Sequence, residues 1–264
     1  MKSLCSLLPA SSSLFSLSAV GPVADRHSSL SNSLLPPPPP TSAAVDLSGG
    51  SSPAALLATE RLVLRNHKLL RDLSTFAVGG PCSFFLEATR PSLLLSAARL
   101  AQARSLPLLV LGRGSNCLFS DQGFDGLVVL NRSVFGDEDD AGVQVVGPGR
   151  FRACSGYPFN RLGVRTAAEG WGGLEFAGGI PGTVGGATFM NAGADGQETA
   201  EVVESVEVVM RDGDFRVLTR EEVRYGYRWS SLQEMDDMAA IVAVTFRLSP
   251  APAARDRQRK FLAR

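Results

Sequence analysis

Histidine is nearly missing from this chain: His27 and His67 are the only two, and neither stands in a motif. Cysteine is scarcely commoner. Cys5, Cys82, Cys117 and Cys154 form no Cys-x-x-Cys pair and no metal-ligand spacing, so reduced, buried thiols are expected rather than disulfides or a metal site. Excess charge is missing too. The 26 Lys and Arg residues balance 26 Asp and Glu, which removes the electrostatic case for nucleic acid or an anionic membrane surface as partner. No apolar run approaches the ~20 residues of a membrane span. Two common nucleotide signatures are also absent. No Lys-Ser/Thr follows a glycine cluster, so there is no P-loop. The loop Gly112–Asn116 lacks a third glycine and leads into no βαβ unit with a ribose carboxylate, which excludes the Rossmann fingerprint.

Glycine is abundant, and much of it falls in one place. Between Gly170 and Gly196 it alternates with Trp171, Leu174, Phe176, Ile180, Val184, Phe189 and Met190. Flexible linkers lack such large apolar side chains. An ordered, partly buried segment is expected, whose glycines serve positive φ or a main chain lying directly against a ligand. Gly182–Ala187 reads as the opening of a short helix with exposed N–H groups that suit a phosphate. Together with Gly112–Asn116 it makes two separated glycine loops fit to grip one large phosphorylated cofactor.

The 264 residues, 44% of them apolar, can hold one large domain or two medium ones. Residues 1–57 stand apart: Ser, Leu, Ala and Pro dominate, acids are almost absent before Asp25, and Pro36–Pro40 favours extended polyproline II. This composition fits a disordered tail or a plastid transit peptide, and the low arginine content argues against a mitochondrial address. The folded region is expected to begin near Leu62. A first subdomain, 58–131, holds a strand at Ser83–Glu87, a helix at Pro91–Ser105, a buried strand at Leu108–Leu111 that runs into Gly112–Asn116, and a strand at Leu127–Leu130. Gly136–Asp140 reads as an acidic, solvated turn.

A second subdomain, 132–249, holds a strand at Val143–Gly147, a helix at Pro158–Glu169 and the glycine stretch. Strands Val206–Met210 and Phe215–Leu218 flank an Asp212-Gly213 turn. Thr219–Glu222 resembles a capping box that opens a short helix. Ala240–Leu248 alternates as a half-exposed strand, and residues 250–264 read as a tail. The fold class is α+β.

Four ordered pieces carry a resemblance: Ser74–Gly80; Leu111–Asn116 with Asp121, Gly123 and Phe124; Gly172–Ala187 followed by Met190–Gly193; and Tyr225–Ser230. Together they resemble the UDP-N-acetylenolpyruvoylglucosamine reductases, the MurB flavoenzymes, over roughly residues 70–249. The resemblance implies the two-subdomain FAD-binding fold of the vanillyl-alcohol oxidase (PCMH) type. It implies non-covalent FAD, since no histidine stands near either loop, and NADPH as reductant. Gly112, Arg113, Gly114, Ser115 and Asn116 would meet the pyrophosphate. Gly179, Ile180, Pro181, Gly182, Thr183, Gly185, Gly186 and Ala187 would line the other side of the cofactor, with Asn191 and Gly193 near the flavin.

In that family the Tyr-Arg pair, here Tyr227 and Arg228, holds and polarises the enolpyruvyl carboxylate, for which a planar guanidinium fork is chemically right. Tyr227 reads equally as a core aromatic with its hydroxyl at the surface. Glu175, a charge amid apolar neighbours, is assigned to a structural salt bridge or cap, and Ser230 to a structural turn hydroxyl. The implied reaction reduces a UDP-sugar enolpyruvyl ether to UDP-N-acetylmuramate for peptidoglycan. The family's serine proton donor and assisting glutamate lie in a third, C-terminal domain that this sequence does not match. Slow turnover or none is therefore expected, with a flavin-binding remnant or interaction protein in a plastid as the alternative.

Overall fold

A computed structural model describes residues 53–136 and 141–263. The assignments made for residues 1–52, the transit peptide among them, and for 137–140 of the acidic turn lie outside the described residues.

The first subdomain runs α1 (Pro53–Leu62), β1 (Leu64–Leu69), β2 (Pro81–Ala88), α2 (Pro91–Ala103), β3 (Leu108–Leu111) and β4 (Phe124–Asn131). Its sheet has the order β1-β2-β4-β3; β2, β4 and β3 are parallel and β1 is antiparallel. Parallel strands need a crossover, which α2 supplies. Pro91 stands in the first turn of α2, where a missing N–H costs nothing, and Leu and Ala fill most of the rest.

The second subdomain opens with β5 (Val143–Gly147), β6 (Arg150–Cys154), α3 (Phe159–Ala168), β7 (Trp171–Gly172) and α4 (Val184–Phe189). It continues with β8 (Gly193–Ala194), β9 (Gln197–Glu198), β10 (Val203–Met210), β11 (Phe215–Thr219), β12 (Tyr225–Gly226) and β13 (Trp229–Ser230). It closes with β14 (Met238–Arg247), β15 (Ser249–Pro250) and α5 (Ala254–Leu262). Five strands form an antiparallel sheet, β11-β10-β14-β6-β5. The two-residue strands pair as small ribbons: β12 with β13, β15 with β7, and β8 with β9.

The main core lies between this sheet and α3, where Phe151, Phe159, Phe176 and Phe246 are fully buried. Each such side chain contributes about 1.5–3 kcal/mol. Helix α2 belongs to both subdomains. Its Leu94, Ala97 and Ala101 pack on Leu86, Leu127 and Val129 of the first sheet, while Leu95 and Ala98 pack on Val209, Ala240 and Val242 of the second. At the seam Asn131 is buried, donating to Ser155 Oγ at 2.7 Å and accepting from the N–H and hydroxyl of Ser133.

Several expectations change. β14 is not half-exposed: Ala240–Phe246 is buried throughout, with α2 packed on Ala240 and Val242, the main core on Val244 and Phe246, and Thr245 paired with the buried Arg152 of β6. The supposed tail contains α5, with Ala254 and Gln258 buried. Helix α1 begins at Pro53, so the folded part starts inside the stretch assigned to the disordered tail; Thr59 is buried and Glu60 pairs with Arg104, just past the end of α2, at 2.9 Å. Thr219–Glu222 makes a turn rather than a helix, with Glu222 accepting from the Thr219 N–H at 2.8 Å. Besides the two-residue strands, two longer ones carry no strand signal in the sequence. β1 lacks β-branched residues, and β6 hides behind arginines, one of which, Arg152, is buried by pairing with Glu207 and stacking on Phe135. No helix among the described residues is long and apolar enough to cross a membrane.

Candidate functional site

The strand β3 ends at Leu111 and delivers the chain to the first glycine loop at the edge of its sheet. Gly114 there has φ +64°, and a Cβ on it would stand 1.7 Å from the Leu73 carbonyl oxygen. Only glycine fits. The segment before β2 clasps this loop: Ser74 Oγ donates to the Cys117 carbonyl at 2.6 Å, and the Thr75 N–H donates to the Gly114 carbonyl at 3.1 Å. Among the described residues no protein acceptor takes the N–H groups of Arg113, Gly114, Ser115 or Asn116. Successive free N–H groups around a left-handed residue form a nest suited to an anion. Arg113 and Asn116 are exposed, Ser115 is half-buried and Gly114 is buried.

The second loop meets the first. A Cβ on Gly112 would lie 2.4 Å from Thr183 Oγ1, and Gly182 stands 3.7 Å, by the same construction, from Ser115 Oγ. The loop is fastened from behind. The Phe159 N–H donates to the Gly182 carbonyl, the Val184 N–H to Tyr157 and the Gly185 N–H to Ser155, all within 3.0 Å. Thr183 caps α4, accepting from the Gly186 N–H at 3.3 Å. This corrects one expectation. The N–H groups that open α4 are spent on Tyr157, Ser155 and Thr183 and so are not free for a phosphate, whereas among the described residues those of Arg113–Asn116 have no protein acceptor.

What the second loop offers is a bare main chain. Gly179 has no protein atom within 4 Å of a constructed Cβ, Gly182 none closer than 3.7 Å and Gly186 none closer than 3.5 Å. None of the three has a positive φ. The protein's own packing therefore gives no reason for glycine at these positions, and a ligand lying on the backbone does. Ile180 is half-buried and Pro181 exposed beside them, whereas Ala187 is buried.

Two expected flavin neighbours turn inward. Asn191, at φ +45°, is wholly buried; it donates to Glu198 at 2.7 Å and to the Gly226 carbonyl at 2.9 Å, and accepts from the Ala200 N–H. Its side chain is thus unable to reach a ligand. Gly193 is buried, and its carbonyl accepts from Arg228 Nη2 at 2.7 Å. That bond ties the β12–β13 hairpin to the end of the glycine stretch. Arg228 also stacks on Tyr227, which is 83% exposed and so no core aromatic. Ser230 is fully buried and donates to the Phe189 carbonyl at 2.7 Å.

Glu175 is 2% exposed and paired with Arg257 of α5. Burial pushes its carboxyl up, but the Gly173 N–H and the Arg257 guanidinium outweigh that and hold it below the ordinary range. Burial pushes the Tyr225 hydroxyl up to about 12, so it stays protonated. Sequence reasoning left out Ser74 and Thr75, although they lie in a quoted motif, and Arg257, for which the sequence carries no signal.

Comparison with known proteins agrees with this geometry. The FAD binding domain family matches residues 82–219. A UDP-N-acetylenolpyruvoylglucosamine reductase of Protochlamydia amoebophila is 41% identical over 190 residues, 72% of this chain and 60% of the relative. One from Chlamydia trachomatis is 40% identical over 193 residues, 73% of this chain and 63% of the relative. The crystal structure of the reductase (MurB) from Thermus caldophilus superposes with a TM-score of 0.61 at 31% identity, covering 74% of this chain and 67% of that one. A Phl p 4 variant, a glucose dehydrogenase, shares the fold alone, at TM-score 0.50 and 15% identity over 74% of this chain and 44% of that one. Fold and cradle together define an FAD-binding domain of the PCMH type. More narrowly, the chain belongs to the UDP-N-acetylenolpyruvoylglucosamine reductase (MurB) family, as its FAD-binding region. It spans about 60% of the length of the curated relatives it matches.

Proposed function

We propose that this chain binds FAD non-covalently and serves the reduction of UDP-N-acetylenolpyruvoylglucosamine to UDP-N-acetylmuramate with NADPH as reductant. The supporting observation is the opposition of four unpaired N–H groups, Arg113–Asn116, to three glycines, Gly179, Gly182 and Gly186, that no protein contact requires. The N–H groups donate to the pyrophosphate, and the glycines let the cofactor lie against the backbone. When bound, FAD supplies hydride chemistry; the protein supplies placement and electrostatics. Arg228, half-buried beside the exposed Tyr227, releases the Gly193 carbonyl to take a substrate carboxylate with its planar fork. The purified protein should be yellow, and acid precipitation should free all the colour into the supernatant. A colourless protein that no added FAD turns yellow would remove the assignment.

One observation favours a second reading, flavin binding without turnover. Ser230, the serine beside the Tyr-Arg pair, and Glu175, the glutamate of the glycine stretch, are buried and committed to Phe189 and Arg257. Neither can donate the proton that hydride addition to an enol ether requires, and a placed acid is worth about 10²–10⁴-fold in rate. NADPH oxidation that depends on the enolpyruvyl substrate decides between the two readings. The Ser-rich, acid-poor stretch 1–57 supports a plastid address. A fluorescent fusion to those residues that stays cytosolic would overturn it.

A further inference from the structure

The 3₁₀ turn Glu175–Gly179 carries the chain into the second glycine loop, and it is held from two sides. On one side is α3, where Gly163 allows its backbone to approach: a Cβ there would lie 2.5 Å from the Leu174 carbonyl oxygen and 2.9 Å from Ala177 Cβ. On the other side is α5. Ala254, Arg257, Gln258 and Phe261 recur at the spacing of one helix face. Ala254 and Gln258 are buried, and Phe261 packs on the main core. Arg257 donates to Glu175 Oε1 from Nε at 2.9 Å and Nη2 at 2.5 Å, while the Gly173 N–H donates to Oε2 at 2.6 Å. Gln258 Nε2 stands 2.7 Å from the place a Gly178 Cβ would occupy. Gly172 leaves the room for this pair, since a Cβ there would meet both Arg257 Nη2 and Glu175 Oε1 within 3.0 Å.

We propose that α5 is a brace for the cofactor loop: Arg257, acting through Glu175 across 82 residues of sequence, sets where Gly179–Thr183 stands opposite Arg113–Asn116. The inference rests on the FAD reading above. Glu175 is inaccessible and touches no ligand, so both members of the pair are positioning residues. A guanidinium is required because one carboxylate oxygen takes two of its donors while the other serves Gly173. Without it, a buried carboxylate is left with one partner, and the turn that carries it must move or take up a proton. The loop would then no longer fit the cofactor even though the sheets stay intact.

The test is FAD titration of the full chain and of Arg257→Ala, Arg257→Lys, Glu175→Gln and the double variant Glu175→Gln/Arg257→Ala. Two readouts are taken: the dissociation constant and the visible circular dichroism of bound flavin, with far-ultraviolet spectra to confirm the fold. Arg257→Ala should weaken FAD by about tenfold or more, the counterpart of ~1.4 kcal/mol. Arg257→Lys should recover part of the loss. The double variant should bind no worse than Arg257→Ala, because the two residues act as one unit. Glu175→Gln, the mildest change, should alter the flavin dichroism even if Arg257→Ala proves unstable. If wild-type protein binds FAD and folded Arg257→Lys and Glu175→Gln match it in both readouts, the brace is wrong. If wild-type protein binds no FAD, the failure belongs to the functional reading instead.

Discussion

Gly186→Ala separates what the protein needs from what a ligand needs. Gly186 is the third residue of α4 and exposed, and a Cβ there would meet nothing nearer than Thr183 Oγ1 at 3.5 Å, an ordinary contact. Judged from the protein alone, alanine is an improvement. Glycine inside a helix costs about 0.8–1.0 kcal/mol relative to alanine. For a folded part of this size 1 kcal/mol corresponds to a Tm shift of about 2–4 °C. Judged from the cradle, the same methyl projects where a cofactor would lie. Forcing a methyl into a filled space costs about 1–3 kcal/mol, or about 5- to 150-fold in Kd. The expected result is therefore opposed: a higher Tm without FAD and weaker FAD binding. Thermal melts of the apoprotein and a flavin fluorescence titration measure the two halves. Gly112→Ala is the contrast, since its Cβ would stand 2.4 Å from Thr183 Oγ1 where the loops meet; it should lose both stability and FAD affinity. A Gly186→Ala protein that is more stable and binds FAD as wild type does would refute the placement of the cofactor over α4.

Arg228→Lys keeps the charge but loses the fork, so it should retain flavin and weaken substrate-dependent flavin shifts by about 2–3 kcal/mol; unchanged substrate titrations would take Arg228 out of the site. Asn131→Ala strands the Ser133 N–H and the Ser155 hydroxyl at the seam. It should cost about 1–3 kcal/mol, read as a lower urea midpoint with one transition rather than two. Glu204 gives a pH dependence. Burial raises its carboxyl, but hydrogen bonds from Arg150 and Arg247 prevail and its pKa lies below the ordinary 4.5. A depressed carboxyl stabilises the fold above its unfolded pKa and loses that contribution as pH falls through the folded one. Melts should therefore fall below about pH 4.5, and Glu204→Gln should flatten that part of the fall.

The sequence disclosed the elements whose cause is local. The apolar run Leu108–Leu111 into Gly112, the Asp212-Gly213 turn and Pro91 at the head of α2 each carry their own signal, and each stands where expected. The glycine loops were legible as a pair, but not which loop bears the free N–H groups. That depends on Ser155 and Tyr157, residues outside the glycine pattern, whose carbonyls occupy the donors of α4. Asn191 looked like a ligand contact because it sits among glycines, yet its partners Glu198, Ala200 and Gly226 come from two later turns. The helix α5 was read as a tail because Ala, Arg, Lys and Gln are as suited to solvent as to a helix. Only Glu175, far back in the chain, decides between them. Alternation in β14 misled for a similar reason: a partner on the second face cannot be seen from one strand.

The position of α2 between two sheets has a consequence for synthesis. The helix leaves the ribosome with the strands of the first sheet, but Ala240 and Val242, which cover Leu95 and Ala98, come about 140 residues later. At roughly 5–20 residues per second that interval lasts on the order of 7–30 seconds. Throughout it a greasy stripe on a nearly complete half-protein faces solvent, the setting in which a nascent chain engages a chaperone or sticks to a neighbour. Neither half can hand a finished surface to the other. The unit of folding is the whole pair, and the last long strand to be made is the one that closes it.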